Sequence, residues 1–137
     1  MIVYKYTDHL MGKTIADIQG LKKDSDYVRI SFTDGSYLSM YHEQDCCESV
    51  TLEDFDNDVQ SLIGGDIIRI EECISNANDE EFDPLDNYGD SYTWTFYTIV
   101  TSKGTMKLRW YGTSNGYYSE DVTLSVTLPF NSIILNR

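Results

Sequence analysis

The sequence predicts a mainly β chain, a single antiparallel β-barrel or sandwich built from hairpins, with one short α-helix near residues 52–63. Three observations predict it. Polar and apolar residues alternate on both sides of Thr33-Asp34-Gly35, and a similar pattern flanks Ser102-Lys103-Gly104. Only one stretch carries apolar residues at helical spacing. With 137 residues, 41% hydrophobic and 13% aromatic, the chain can bury one core and reads as a single domain, 1–137.

The elements follow in order. A strand is expected at 2–6 and another near 14–19. YVRISF-TDG-SYLSMYH then reads as a hairpin with a three-residue loop, Gly35 taking the left-handed position. That loop pairs Ile30 with Leu38 and Val28 with Met40, which puts Val28, Ile30, Phe32, Leu38 and Met40 on one face. A two-residue loop would mix Arg29 and Ser31 with them, so the pattern selects the longer loop. Leu52, Phe55, Val59 and Leu62 are spaced for a helix of two or three turns, with acids at its start and Gly64 or Gly65 to end it. A strand is expected at 66–74, and the polar, turn-rich residues 75–90 read as a loop.

Residues 92–128 read as a three-stranded meander. Placing Gly104 like Gly35 pairs Val100 with Met106, Thr98 with Leu108 and Phe96 with Trp110. A turn at Ser114-Asn115-Gly116 then pairs Leu108 with Val122 and Met106 with Leu124. A last strand, 132–136, follows the break at Pro129. Six to eight strands are expected, all pairings are antiparallel, and no solenoid period is present.

The formal charge is −13, and it is uneven. Residues 42–90 hold sixteen acids and one arginine, and the rest of the chain is nearly balanced. Phosphate contacts require Lys and Arg, so direct nucleic-acid or anionic-membrane binding is not expected. A cationic partner, mimicry of nucleic-acid charge, or solubility alone would fit. No apolar run is long enough for a membrane helix and the start lacks a secretory segment, so no membrane partner and a cytoplasmic location are expected. An odd count of three cysteines fits a reducing compartment better than a disulfide framework.

The densest chemistry lies in HEQDCCES, 42–49. His42, Gln44, Asp45, Cys46, Cys47 and Glu48 include an imidazole, thiols and carboxylates. Adjacent cysteines converge poorly on a metal, and no second His/Cys cluster is present, so no metal and no cofactor are expected. A Cys-His nucleophile is the other sharp reading, but the crowded acids raise a thiol's pKa and suppress the thiolate. The plainer reading is a strand-to-helix corner in which Asp45 and Ser49 satisfy backbone amides and a cysteine fills a small buried space. Gly12-Lys13-Thr14 lacks the glycines of a phosphate loop. No catalytic residue is assigned.

Two surfaces are candidates for binding. In the meander register Tyr97 lies opposite Arg109 and Arg109 opposite Asp121, with Tyr111 in the next row and Asn115, Tyr117 and Tyr118 at the turn. Such a face stacks planar groups and donates to anions. The second is the acidic surface at Asp79, Glu80, Glu81 and Asp83.

The stretches YHEQDCCESV at 41–50 and SYTWTFYTIVTSKGTMKLRWYGTSNGYYSEDV at 91–122 resemble a family of small proteins of unknown function in bacteriophage and prophage genomes. Its pattern runs H-x-Q-D-C-C-E, then W-T-F-Y, then R-W-Y-G-x-S-N-G-Y-Y-S; the N-terminus and residues 75–90 fall outside it. The resemblance implies a phage origin and brings no activity, ligand or catalytic residue. With that origin, the expected function is a non-enzymatic accessory protein that binds and modulates a host factor, such as a counter-defence inhibitor. The alternatives are a protein that sequesters a small nucleotide, and a metal- or thiol-dependent enzyme centred on His42, Cys46 and Cys47.

Overall fold

The computed structural model describes residues 2–4, 7–76, 91–129 and 133–136. Within them the chain forms β1 (Ile2–Tyr4), α1 (Thr7–Leu10), β2 (Ile15–Gln19), β3 (Tyr27–Phe32), β4 (Tyr37–Tyr41), β5 (Ser49–Phe55), α2 (Val59–Leu62), β6 (Ile67–Asn76), β7 (Ser91–Thr101), β8 (Gly104–Ser114), β9 (Thr123–Thr127) and β10 (Ile133–Asn136). The strands make two five-stranded antiparallel sheets, in the orders β1-β6-β7-β8-β5 and β10-β9-β4-β3-β2. The architecture is a sandwich rather than a closed barrel, with ten strands among the described residues against the six to eight expected.

The core lies between the sheets. Sheet 1 contributes Val50, Leu52, Ile70, Ile99, Met106, Leu108 and Trp110; sheet 2 contributes Val28, Ile30, Leu38, Met40, Leu124 and Val126. The period-two alternation of each strand sends these side chains inward. The β3–β4 hairpin has the expected register, Val28 beside Met40 and Ile30 beside Leu38. Its turn is held by Gly35 at φ +90° and by Asp34, whose Oδ1 accepts from the Ser36 amide at 2.8 Å. Lys13 pairs with the same carboxylate, and Lys13 and Ser36 together hold Asp34 down to about 2.

Three expectations on the other sheet are corrected. First, Thr101 pairs with Gly104, so the β7–β8 loop is the two residues Ser102-Lys103. Phe96 therefore faces Arg109, and Tyr97 faces Leu108. A slip of one residue moves every side chain of a strand to the other face. Tyr97, Ile99 and Thr95 point into the core, and Trp94, Phe96 and Thr98 point out.

Second, β9 leaves for sheet 2, where it pairs with β4, Leu124 beside Met40. The turn at 114–116 does form: Gly116 has φ +91° and the Tyr117 amide donates to Asn115 Oδ1 at 2.9 Å. It opens a crossover rather than a hairpin, because residues 115–122 are long enough to reach the other sheet.

Third, the expected helix at 52–63 is confined to its second half, Val59–Leu62, and residues 52–55 belong to strand β5. The edge of β8 that β9 leaves open is taken by β5, with Leu52 beside Trp110 and a bulge between Leu52 and Asp54. Only the single turn α2 is helical, capped by Asp58, whose side chain accepts from the Ser61 amide at 2.8 Å. Leu52 and Leu62 are buried, and Phe55 and Val59 pack against the core. The four residues thus reach the interior as the spacing implied, through a strand, a bulge and a turn.

Two exposed edges are closed. The Leu52 amide donates to Ser25 O at 2.8 Å, and Leu52 O accepts from the Asp24 amide at 2.7 Å, which covers β5. On the other side the start of β2 is bonded to residues 64–67, Ile15 N to Gly65 O at 2.9 Å and Gly64 N to Ile15 O at 2.8 Å. Edges covered in this way do not recruit a further strand.

Candidate functional site

HEQDCCES is the connection from β4 in sheet 2 to β5 in sheet 1, a strand-to-strand crossover and not a strand-to-helix corner. Residues 115–122 make the reverse crossing from β8 to β9. Tyr41 lies beside Thr123 in one sheet and Ser49 beside Thr113 in the other, so the two crossovers run side by side at one corner. The topology thereby joins residues far apart in sequence.

His42 ties the crossovers together. Its side chain is 5% exposed, and Nδ1 donates to the backbone oxygen of Asp121 at 2.7 Å. Nε2 lies 2.8 Å from Glu48 Oε2. Both ring nitrogens therefore face oxygen atoms.

Glu48 is fully enclosed. It accepts from the Asp45 amide at 3.0 Å, the Cys46 amide at 2.8 Å and the Gln44 side chain at 3.2 Å. The His42 contact first, and then the backbone amides, outweigh the burial that opposes ionisation and hold the carboxyl at about 2. Gln44 also donates to Glu48 O at 2.7 Å and to Cys46 O at 3.2 Å.

The expected roles here are corrected. The amides are satisfied by Glu48, not by Asp45 and Ser49, because only Glu48 points inward from the corner. Cys46 and Cys47 are both exposed, so neither fills a buried space. Their sulfurs are joined, a disulfide between neighbours where free thiols were expected, and Cys73 is free and half-buried. With both His42 nitrogens engaged and the sulfurs paired, the corner presents neither a ready base nor a thiolate. Among the described residues, no three of His, Cys, Asp and Glu converge on a metal position.

On the second crossover Glu120 does related work. It is buried, and it accepts from Thr93 Oγ1 at 2.6 Å and from Ser114 Oγ. Gly112 makes room for it: a Cβ there would stand 2.9 Å from Glu120 O and 3.0 Å from Glu120 Cβ. A cleft of about 470 Å³ lies between the crossovers, bordered by Glu43, Asp45, Ser119 and Asp121. Tyr117 stands almost wholly in solvent, edge-on to Tyr118 with 5.1 Å between ring centroids.

The tyrosine–arginine face is rearranged. Tyr97 is buried in the core and donates to Glu72 Oε2 at 2.7 Å. Arg109 stays on the outer face, but its acid is Asp54 of β5 rather than Asp121, with Nε at 2.7 Å from Asp54 Oδ1 and Nη2 closing a second contact. The pair lowers the Asp54 pKa and raises that of Arg109. Trp94 and Phe96 take the place expected for Tyr97. Trp94 lies 6.1 Å from Phe96 and 4.7 Å from Tyr111 between ring centroids, and Arg109 sits over it at 5.3 Å. Trp94 and Tyr111 are buried.

Beside Phe96 runs a groove of about 440 Å³, lined by Phe55 and Phe96 among Asp54, Asp56, Lys107 and Arg109. Sequence reasoning missed Asp54 because it assigned that residue to a helix. It missed Glu120 because nothing local marks it as buried. Asp79, Glu80, Glu81 and Asp83 lie outside the described residues.

No helix among the described residues is long and apolar enough to cross a membrane. No curated protein and no solved structure matches the chain. A family profile does match, and its span includes the residues set aside at 75–90 and most of the N-terminus. With residues 8–124 matched, the chain belongs to the family described as a domain of unknown function, DUF7448.

Proposed function

We propose that the chain is a non-enzymatic, phage-encoded accessory protein that binds and modulates a host factor. The groove beside Phe96 carries this reading. Aromatic side chains set among exposed charges of both signs match the anatomy of a protein interface, an apolar centre with a polar rim. Asp54, Asp56, Lys107 and Arg109 would give a partner its register, and the net charge of −13 favours a basic one. The corner supports the non-enzymatic part, since its histidine and glutamate are spent on holding two crossovers together. The nucleotide alternative loses its arginine on this face, where Asp54 occupies Arg109.

The test is affinity capture from bacterial host lysate with the immobilised chain. A single host protein retained by the wild type and lost with Phe96→Asp, at unchanged melting behaviour, is the expected result. Asp79→Lys, Glu80→Lys, Glu81→Lys and Asp83→Lys combined should weaken the same capture if the acidic surface takes part. Equal capture by wild type and folded Phe96→Asp overturns the assignment of the groove.

A further inference from the structure

The outer face of sheet 2 is used by neither the groove nor the corner. On it the register sets Tyr27 beside Tyr41, Arg29 beside Ser39, and Ser31 beside Tyr37. Ser39 is next to Ser125 of β9. Since Val28, Ile30, Leu38 and Met40 of the same strands fill the core, this grid of tyrosines, serines and one arginine is the outward set. Tyr27 and Tyr41 stack with 6.1 Å between centroids, and the Tyr27 hydroxyl shares a hydrogen bond of 2.8 Å with Ser39 Oγ.

Arg29 lies over Tyr37, with Cζ 3.4 Å from the ring centroid. Its Nε is enclosed and has no hydrogen-bond partner among the described residues. Arg69 and Arg109, in contrast, each hold a carboxylate. Among the described residues of a chain with 23 acids, Arg29 lies on a ring and not on an acid. A guanidinium whose face is covered and whose Nε is enclosed keeps its terminal Nη1/Nη2 edge, and that edge matches the two oxygens of a phosphate or carboxylate. The neighbouring tyrosine rings offer a surface on which a flat group can stack. Tyr37 holds the guanidinium in place before any ligand arrives, which lowers the cost of ordering it.

We infer that this face is a ligand site for an oxyanion carried on a planar ring, of the nucleoside monophosphate class. Arg29 takes the anion, and Tyr27 and Tyr41 take the ring. The inference is independent of the groove, so capture of a host protein and binding of this ligand can each fail alone. Titration at about 0.15 M salt screens the overall negative charge beyond about 8 Å.

The experiment is calorimetric titration with adenosine monophosphate, adenosine and inorganic phosphate, each alone. Adenosine monophosphate should saturate, with adenosine and phosphate each at least about tenfold weaker, a factor that corresponds to about 1.4 kcal/mol. Arg29→Gln should lose at least that factor, Arg29→Lys should fall between, and Lys103→Gln on the distant β7–β8 turn should match the wild type. Thermal melts establish that each variant is folded; should Arg29→Gln not fold, Arg29→Lys and Tyr27→Ser carry the test. No saturation at about 10 mM, far weaker than ordinary small-ligand affinities, overturns the inference. So does equal affinity in the folded arginine variants, or phosphate binding as tightly as the nucleotide.

Discussion

The two hairpins look alike in sequence and behave differently. In β3–β4 the outward positions carry tyrosine, arginine and serine, while Val28, Ile30, Leu38 and Met40 are aliphatic or Met. One register alone brings those four together, and the chain adopts it. In β7–β8 large apolar residues occupy both faces: Trp94 and Phe96 on one, Tyr97 and Ile99 on the other. Either register buries something, so local pattern does not choose. The choice falls to what lies beyond the hairpin, where sheet 2 needs a core-facing row and β5 supplies Asp54 for Arg109. Register is strongly specified only where one face is clearly the apolar one.

The largest effect that could break this comparison comes from the pair at the slip. Tyr97→Ala should cost about 3–5 kcal/mol in urea unfolding, as for an aromatic deleted from a packed core. Phe96→Ala should cost about 1 kcal/mol, in the range of partly exposed sites. The reverse order would restore the three-residue loop and overturn the register.

Next comes Glu48, which holds the corner. Its carboxyl is depressed from an ordinary 4.5 to about 2, so its contribution is fully present above pH 4.5 and is lost as pH falls toward 2. Melting temperature followed across that window should drop more steeply for the wild type than for Glu48→Gln, which has no carboxyl to protonate there. Asp34, depressed to about 2 at the β3–β4 turn, should show the same sign through Asp34→Asn. Parallel pH profiles for wild type and Glu48→Gln would remove the corner's electrostatic role.

Gly112→Ala should follow, at about 1–3 kcal/mol, because its Cβ meets the Glu120 backbone and Val50. Gly116→Ala meets nothing but holds φ +91°, and should cost about 1–2 kcal/mol through backbone strain alone. Double substitution at 112 and 120 tests the contact at 112: Glu120→Ala keeps both the carbonyl oxygen and the Cβ that the new methyl meets, so it should not recover the cost of Gly112→Ala. The smallest effect belongs to Arg109→Gln. Both partners of the Arg109–Asp54 pair are about half exposed, so its loss should cost less than about 1 kcal/mol by thermal melting.

The corner shows what can be read locally in a site and what cannot. That His42 continues the inward phase of Leu38 and Met40 was legible, and its side chain is indeed buried. That Glu48 would be its partner was open among several acids, since four carboxylates lie within 43–53 and only backbone geometry turns one inward. Asp121 was legible as a polar residue near a turn, yet its role rests on a main-chain oxygen, which no side-chain pattern reports. Arg109 was legible as an outward arginine that would need an acid, and the acid came from a segment read as helix.

By itself the sequence determined the β character, the antiparallel β3–β4 hairpin, the turn glycines at 35 and 116, and the aliphatic set that fills the core. These are properties of neighbouring residues: side-chain alternation, allowed φ, and the reach of a short loop. The tertiary structure alone decided that β9 crosses to sheet 2, that β5 takes the edge it leaves, and that the two crossovers meet at His42. A strand's pattern says which face it buries but not which edge it pairs with. Backbone hydrogen bonds are the same at every position, so the edge left open when the sheets assemble selects the partner.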